Sequence, residues 1–241
     1  MFNNIKITGI LLDLDDTLVD SRSSWKQGFK DTFKYHSANN SKDFDLESIY
    51  IEYTKIVAKK HEESNASEWS DKLAQSGLSE IIKKYLKIEI NVEDTWIIFE
   101  ESWKKNIELF SETNQILQSL CINFKLGLVT NGLSEHQRYK IEKFDLAQYF
   151  QCILISEEIG SQKPDIAIFK EATKKLSLLN NQIIHVGDNP SHDVIGANQA
   201  GMYSCWLKRP KNWYKEIKDV EPNFIISNLL ELENLNKNRN G

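Results

Sequence analysis

A short apolar segment near the start of the chain runs directly into a group of aspartates. Residues 10–12, Ile-Leu-Leu, are typical of a buried strand. The eight residues that follow include Asp13, Asp15, Asp16 and Asp20. Carboxylates this close together repel one another and resist burial. The segment therefore suits a fold in which a strand delivers the acids to an open edge of a sheet, where a cation can join them.

The rest of the chain alternates between strand-like and helix-like segments. The strands are predicted at residues 7–12, 124–130, 152–156, 183–187, 202–207 and 224–226. Apolar residues recur at helical spacing in residues 112–121, 134–144, 166–178 and 193–200. Strands that alternate with helices predict an α/β fold, a parallel sheet with helices on both faces.

One long segment departs from this alternation. Between residues 20 and 110 no convincing strand occurs, and helical periodicity is found in residues 24–36, 46–61, 69–86 and 92–108. Trp25, Phe29 and Phe33 lie four apart there, and we interpret them as core packing on one helix face. The sequence thus predicts an inserted all-α domain at residues 20–107, within a core made of residues 1–19 and 108–241.

Charge and composition argue against several classes of protein. The net charge of −5 and the scattered lysines and arginines make nucleic acid an unexpected partner. The N-terminal apolar run is too short for a signal peptide, and no run approaches the roughly 20 apolar residues of a membrane span. Cys121, Cys152 and Cys205 are widely spaced and are interpreted as reduced thiols of a cytoplasmic protein. The sequence does not distinguish a monomer from a homodimer.

Polar side chains follow further predicted strands. They are Thr130, Asn131 and Gly132 after one strand, and Asp188 after another, with Asp193 five residues later. Lys163, in GSQKPD, comes directly before a helix predicted to begin at Pro164. Ligands of an open parallel sheet bind beyond the carboxyl ends of its strands. We therefore expect these residues to meet the aspartates that follow the first strand.

Such a cluster favours phosphoryl-transfer chemistry with a divalent cation. Mg²⁺ takes oxygen ligands and binds through one or two carboxylates together with a substrate phosphate, which makes Asp13 and Asp188 natural ligands. With Mg²⁺ and Lys163 screening the charge, Asp13 is predicted to attack phosphorus and form an aspartyl phosphate. Asp15 is predicted to protonate the departing alcohol and then to activate water. Thr130 and Asn131 would hold the phosphoryl oxygens.

The motifs that carry these residues resemble those of the haloacid dehalogenase-like hydrolase superfamily, in the same order. DLDDT is similar to its first motif, VTNG to its second, the lysine of QKPD to its third and GDNPSHD to its fourth. The resemblance covers nearly the whole chain. It implies a Rossmann-like core and, for the insertion after the first motif, a helical cap.

The resemblance also implies roles for the matching residues. The implied metal ligands are Asp13, Asp188, Asp193 and, through its backbone carbonyl, Asp15. The implied catalytic residues are Asp13, Asp15, Thr130 and Lys163, and we expect Thr17, Asn131 and Gly132 to contact substrate. Simpler alternatives are a local hydrogen bond for Thr17, a turn for Gly132 and a helix-dipole contact for Asp193.

Asp15 separates the activities found in this superfamily. Its dehalogenases lack an acid two residues after the nucleophile, because no alkoxide has to be protonated. Phosphomutases keep this acid but tend to have glycine where this chain has Asp16. Residues 125–169 are also similar to the group of nucleoside 5′-monophosphatases and N-acylneuraminate 9-phosphatase. We therefore predict a Mg²⁺-dependent phosphatase for a small soluble phosphate ester, with nucleoside monophosphates and sugar phosphates as candidates.

Alternatives of other classes remain open at this point. Receiver-type phospho-acceptor modules also combine acids, Thr or Ser, Lys and Mg²⁺. Their acceptor follows a later strand, however, and they lack both the acid two residues on and the long insertion. A cap-bearing protein that binds a partner without turnover is a further alternative. Within the cap, the polar residues 61–77 are expected to line the entrance, and Trp69 to affect substrate preference.

Overall fold

The computed structural model describes residues 6–38, 40–64, 71–209 and 220–237. The chain divides into two compact units, one formed by Met1–Val19 with Leu109–Gly241 and the other by Asp20–Glu108. Trp69 lies outside the described residues. Within the described ranges, no helix combines the length and the apolar character that a membrane crossing requires.

The described residues of the second unit form helices joined by loops. The helices are α1 (Ser21–Ser37), α2 (Leu46–Ser64), α3 (Asp71–Leu86) and α4 (Val92–Asn106). Helix α1 packs against α4, and α2 packs against α3. Phe29 and Phe33 are fully buried, and Phe29 stacks on Tyr53 with ring centroids 4.8 Å apart. The interpretation of these aromatic residues as core packing is confirmed.

The first unit is built around a six-stranded parallel sheet in the order β3-β2-β1-β4-β5-β6. Its strands are β1 (Gly9–Leu12), β2 (Lys125–Thr130), β3 (Cys152–Ile155), β4 (Ile183–Gly187), β5 (Tyr203–Leu207) and β6 (Phe224–Ile226). Strand β1 pairs with β2 on one side and with β4 on the other. The strand order reverses between β1 and β4, where α/β sheets form their ligand crevice. The predicted Rossmann-like parallel sheet is confirmed.

Helices of this unit follow the strands. They are α5 (Thr113–Leu120), α6 (Ser134–Lys143), α7 (Ser156–Ile159), α8 (Ile166–Leu176), α9 (Ile195–Gln199) and α10 (Glu233–Lys237). All four residues of β1 are buried, as in a strand covered on both faces. Helix α8 buries Ile168 and Phe169 in a cluster with Leu11 and Val129. Fully burying an aliphatic or aromatic side chain contributes roughly 1.5–3 kcal/mol, so this cluster stabilises the centre of the sheet.

Two helices begin away from a predicted position. Helix α8 begins at Ile166, as the helical spacing of residues 166–178 indicates, and not at Pro164, because the carboxylate of Asp165 accepts a hydrogen bond from the backbone N–H of Ala167 and acts as the N-cap. The helical segment predicted from residue 193 begins earlier, with a π-helical turn at Pro190–Val194. This turn places Asp193 inside the segment and not at its start.

Candidate active site

The sheet brings the ends of β1, β2 and β4 to one edge. Asp13 is the first residue after β1, and its backbone N–H donates to the carbonyl of Val186 in β4 at 3.0 Å. Thr130 is the last residue of β2, and Asp188 is the first residue after β4. Because these three strands are adjacent and parallel, the three polar residues lie at the same edge, as the sequence predicts.

Lys163 links two of the aspartates. Its Nζ lies 2.6 Å from Oδ1 of Asp13 and 2.7 Å from Oδ1 of Asp193. Only 2% of the Lys163 surface is exposed, and Asp13 and Asp193 are buried as well. A buried charge is tolerated when it is paired and hydrogen-bonded, and here one ammonium serves two carboxylates.

Asp193 is held from several directions. His185 Nε2 lies 2.9 Å from its Oδ1, and the backbone N–H of Asn189 donates to its Oδ2 at 3.0 Å. Gly187 makes this approach possible, because a Cβ at that position would lie 2.1 Å from Cγ of Asp193. Asp193 lies within the π-helical turn Pro190–Val194 and is buried there. His185 is thus a buried residue of β4 that contacts the site through Asp193.

Burial is the main cause of the unusual proton affinities in this cluster. It raises the pKa of Asp13 to about 7, Asp193 adds to the increase, and Lys163 opposes it. Burial also disfavours the charge on Asp193, but Lys163 and His185 outweigh it and hold the pKa of Asp193 well below its usual range. The two carboxylates likewise outweigh burial at Lys163 and raise its pKa. The negative charge of Asp13 is therefore compensated only in part.

A cavity of about 170 Å³ opens over these residues. It is lined by Asp13, Asp15, Asp16, Thr130, Asn131, Lys163, Asp188, Asn189, His192 and Asp193. Carboxylate oxygens of Asp13, Asp188 and Asp193 lie within 4.8 Å of one another. Burial lowers the pKa of His192, which leaves Lys163 as the side chain of this lining that is cationic at neutral pH. The excess of oxygen ligands and of negative charge fits a hard divalent cation.

The loop after β2 fixes the position of Lys163. The side-chain amide of Asn131 donates to the carbonyl of Lys163 at 2.9 Å and accepts from its backbone N–H at 2.8 Å. The N–H of Gly132 donates to Oγ of Ser156 at 3.0 Å. Asn131 and Thr130 line the cavity, whereas Gly132 does not. The side chain of Asn131 therefore positions the backbone of Lys163. The backbone N–H of Asn131 is the candidate group for phosphate binding.

The loop after β1 is tied down by a residue that the sequence did not single out. Arg209 donates to the backbone carbonyls of Asp16 at 3.3 Å and Thr17 at 2.9 Å, and it pairs with Glu112 at 2.8 Å. Its guanidinium also lies 3.6 Å from the ring centroid of Phe110. Asp16 adopts a left-handed backbone with φ of +57°. Thr17 is buried, does not line the cavity, and donates from its hydroxyl to Oδ2 of Asp13 at 3.4 Å.

Asp15 has two partners that sequence reasoning missed. Lys140 Nζ lies 2.5 Å from its Oδ1 and 2.7 Å from its Oδ2, and Gln137 Nε2 donates to Oδ2 at 2.9 Å. Both partners are on α6. The available signal was the helical spacing of residues 136, 137, 140 and 141, which puts them on one face. His136, on the same face, is buried as well.

Comparisons with known proteins agree with this architecture. The model of the haloacid dehalogenase-like hydrolase family matches residues 10–207. A glyceraldehyde 3-phosphate phosphatase of Methanopyrus kandleri is 28% identical over 231 residues, which cover 94% of this chain and 95% of the relative. The pyrimidine 5′-nucleotidase YjjG of Escherichia coli is 33% identical over 121 residues, which cover 50% of this chain and 53% of the relative. The predicted resemblance, and the prediction of a phosphoric monoester hydrolase, are confirmed.

A solved structure extends the likeness to the fold. The Bacillus subtilis protein YfnB bound to magnesium superimposes with a TM-score of 0.78 and 21% identity, and the match covers 95% of this chain and 98% of that one. At this level of identity the match shows a shared fold, and it leaves the chemistry to be argued from the residues of this chain.

Proposed function

The chain belongs to the haloacid dehalogenase-like hydrolase family, and we propose that it is a Mg²⁺-dependent phosphatase of small soluble phosphomonoesters. The observation that carries this proposal is the position of Asp13, fixed at the end of the central strand by Lys163 and facing a cavity rich in carboxylates. Its family membership and its phosphatase relatives support the same reaction. The further assignment to the cytoplasm remains a prediction from the sequence.

In the proposed first step, a carboxylate oxygen of Asp13 attacks the phosphorus of the ester. The new bond joins that oxygen to phosphorus, and the bond between phosphorus and the ester oxygen breaks. Asp15, protonated at this stage, gives its proton to the departing alkoxide. Lys163 holds the attacking side chain at 2.6 Å and offsets charge on the phosphoryl group.

In the second step, water attacks the phosphorus of the aspartyl phosphate. The new bond joins the water oxygen to phosphorus, and the bond between phosphorus and the Asp13 oxygen breaks. Asp15, now a carboxylate, takes the proton from this water, which leaves inorganic phosphate and the free carboxylate of Asp13. The hydroxyl of Thr130 and the backbone N–H of Asn131 are proposed to hold the phosphoryl oxygens, since both residues line the cavity. The proton taken from water returns Asp15 to the protonated form that the next first step requires.

The described residues fit a Mg²⁺ ion. The carboxylates of Asp13 and Asp188 and the backbone carbonyl of Asp15 are proposed to hold it, with Asp193 contributing through water or through Lys163. The carboxylate oxygens of Asp13, Asp188 and Asp193, which lie within 4.8 Å of one another, support a cation here. Burial raises the pKa of Asp13 to about 7 because Lys163 offsets its charge only in part, which agrees with this site. When bound, Mg²⁺ would neutralise negative charge on the phosphate and so reduce its repulsion by the aspartates.

The proposed substrate is a phosphoryl group on a small leaving group. The relatives act on glyceraldehyde 3-phosphate and on pyrimidine 5′-nucleotides, so triose phosphates and nucleoside monophosphates are the first candidates. The cavity of about 170 Å³ is lined by groups suited to a phosphoryl group and a metal ion. We propose that the helical unit Asp20–Glu108 acts as a cap that selects the leaving group and excludes water during the reaction.

Phosphate release from a panel of phosphomonoesters tests this proposal. The panel contains nucleoside monophosphates, triose and sugar phosphates, phosphoglycolate and p-nitrophenyl phosphate, each with and without Mg²⁺. Asp13→Asn should abolish release. Asp145→Asn is the matched control, because Asp145 is exposed and its φ of +50° is a conformation that asparagine accepts well.

Two outcomes would overturn the proposal. Near-wild-type release by a folded Asp13→Asn variant would exclude the nucleophile. Transfer of phosphate to a second hydroxyl of the substrate, with no inorganic phosphate formed, would indicate a mutase. Mass spectrometry of acid-quenched enzyme should locate the phosphoryl group on the peptide that contains Asp13.

A further inference from the structure

Helix α6 has an unusually polar buried face. The buried residues of this helix are His136, Gln137, Lys140 and Ile141, so three of the four are polar or charged. Only 3% of the Lys140 surface is exposed. Lysine is almost never buried to this extent without a specific partner, because its charge loses its hydration. An apolar residue would pack here at lower cost, which indicates that the charge has a role.

The partner of this face is the carboxylate of Asp15. Both of its oxygens contact Lys140, at 2.5 and 2.7 Å, and Oδ2 also accepts from Gln137 at 2.9 Å. The Asp15 side chain itself is 31% exposed and borders the cavity. Three contacts from one helix therefore hold this carboxylate.

A second observation shows that the loop is shaped to admit Gln137. Its Nε2 also donates to the carbonyl of Asn131 at 2.7 Å, which joins α6 to the loop after β2. A Cβ on Gly132 would lie 2.5 Å from this same nitrogen, and Gly132 has a φ of +131°. Glycine at position 132 thus leaves the space that Gln137 needs in order to reach Asp15.

We propose that Lys140 and Gln137 are positioning residues that set the orientation of the Asp15 carboxyl group for proton transfer. This inference rests on the proposed role of Asp15 as the acid and base of the reaction. The two residues act through Asp15 and are not assigned a contact with substrate. Proton transfer requires a donor and an acceptor within hydrogen-bond reach and well aligned, so a carboxyl group that loses these contacts transfers its proton less often.

The choice of leaving group separates this role from a purely structural one. An alkoxide needs a proton as it departs, whereas p-nitrophenolate does not. The quantity to compare is kcat/KM, because it reports the steps up to the departure of the leaving group. Lys140→Met should lower kcat/KM for the best alkyl phosphate of the panel by at least about tenfold, and that for p-nitrophenyl phosphate by less than about threefold.

Three further variants complete the experiment. Gln137→Leu should shift the ratio of the two kcat/KM values in the same direction, and it replaces Lys140→Met if that protein does not fold. In an Asp15→Asn background, Lys140→Met should leave the ratio unchanged. Lys143→Met is the matched control, because Lys143 is on the same helix and is exposed, and it should leave both values at the wild-type level.

A readout without catalysis checks the contact itself. In metal-free protein, the loss of Tm in the Lys140→Met, Asp15→Asn double variant should be smaller than the sum of the two single losses, because the partners are in contact. Equal losses of kcat/KM for both substrates in the folded Lys140 and Gln137 variants would overturn the positioning role and leave the proposed function intact. Wild-type protein that releases no phosphate, or an Asp13→Asn variant that still does, would instead reject the proposed function.

Discussion

Asp13→Asn should change how the stability of the metal-free protein depends on pH. Asparagine has nearly the same size, and its side-chain carbonyl can still accept the hydrogen bond that Lys163 donates to Asp13 at 2.6 Å. What the substitution removes is a carboxyl group whose pKa is raised from 3.8 to about 7 by burial, with Asp193 adding to the shift and Lys163 opposing it. The variant therefore isolates the titration of one group.

The direction follows from the raised pKa. The folded protein binds a proton at Asp13 more tightly than the unfolded chain does, so this group stabilises the fold fully below the unfolded value of 3.8. The contribution is lost as the pH rises through about 7. At about pH 5 the pKa of Asp13 in the folded protein lies about two units above the pH. Its protonation then contributes about 2.7 kcal/mol to the free energy of unfolding, and at about pH 8 this contribution is close to zero.

Urea unfolding with a chelator present measures this difference. The free energy of unfolding of wild type minus that of Asp13→Asn should fall by about 2–3 kcal/mol between about pH 5 and about pH 8. His185 and His192 are present in both proteins, so their titration largely cancels in the difference. The pKa of Asp193 is held below this window and that of Lys163 above it. Parallel curves for the two proteins would refute the argument that burial leaves the charge of Asp13 uncompensated.

Three further predictions concern the proposed acid, the glycine that ends β4 and the proposed metal ion. Asp15→Asn should lower kcat/KM for an alkyl phosphate by about 10²–10⁴-fold and for p-nitrophenyl phosphate much less, and equal losses would contradict its role as the acid. Gly187→Ala should destabilise the protein by about 1–3 kcal/mol, seen as a lower Tm, because the new Cβ would lie 2.1 Å from Cγ of Asp193; an unchanged Tm would contradict this packing. Mg²⁺ should raise the Tm of wild type more at about pH 8 than at about pH 5, since ligands bind metal when deprotonated, and Asp13→Asn should lose most of this gain.

The sequence predicted the sheet well because its strands are continuous apolar runs. Strands β4 and β6 have the predicted bounds, whereas β1 starts at Gly9 and not at residue 7. Helix starts were less predictable, since they depend on which side chain caps the first turn. At α8 the cap is Asp165, although Pro164 is an equally good signal in the sequence.

The candidate site was predictable where topology alone decides the contacts. Parallel strands share one edge for their carboxyl ends, so the residues after β1, β2 and β4 had to meet. The contacts of Lys140 and Arg209 were not predictable in this way, because they depend on the orientation of one helix and on the path of one loop. A lysine in an amphipathic helix is normally read as part of the exposed face, and only the structure shows that Lys140 points toward Asp15.

The structure gives Asp13 and Asp15 different surroundings, which suits the different proposed roles of two identical side chains. Asp13 is 7% exposed and held by a lysine that it shares with Asp193, so one of its oxygens is fixed in a largely buried position. The side chain of Asp15 is 31% exposed, is held by residues of helix α6 and lines the cavity. A nucleophile benefits from a fixed, poorly hydrated oxygen, whereas an acid and base must exchange protons with the leaving group and with water. The two lysines thus separate the roles. Lys163 fixes the buried carboxylate of the proposed nucleophile, and Lys140 orients the more exposed carboxyl group of the proposed acid at the cavity.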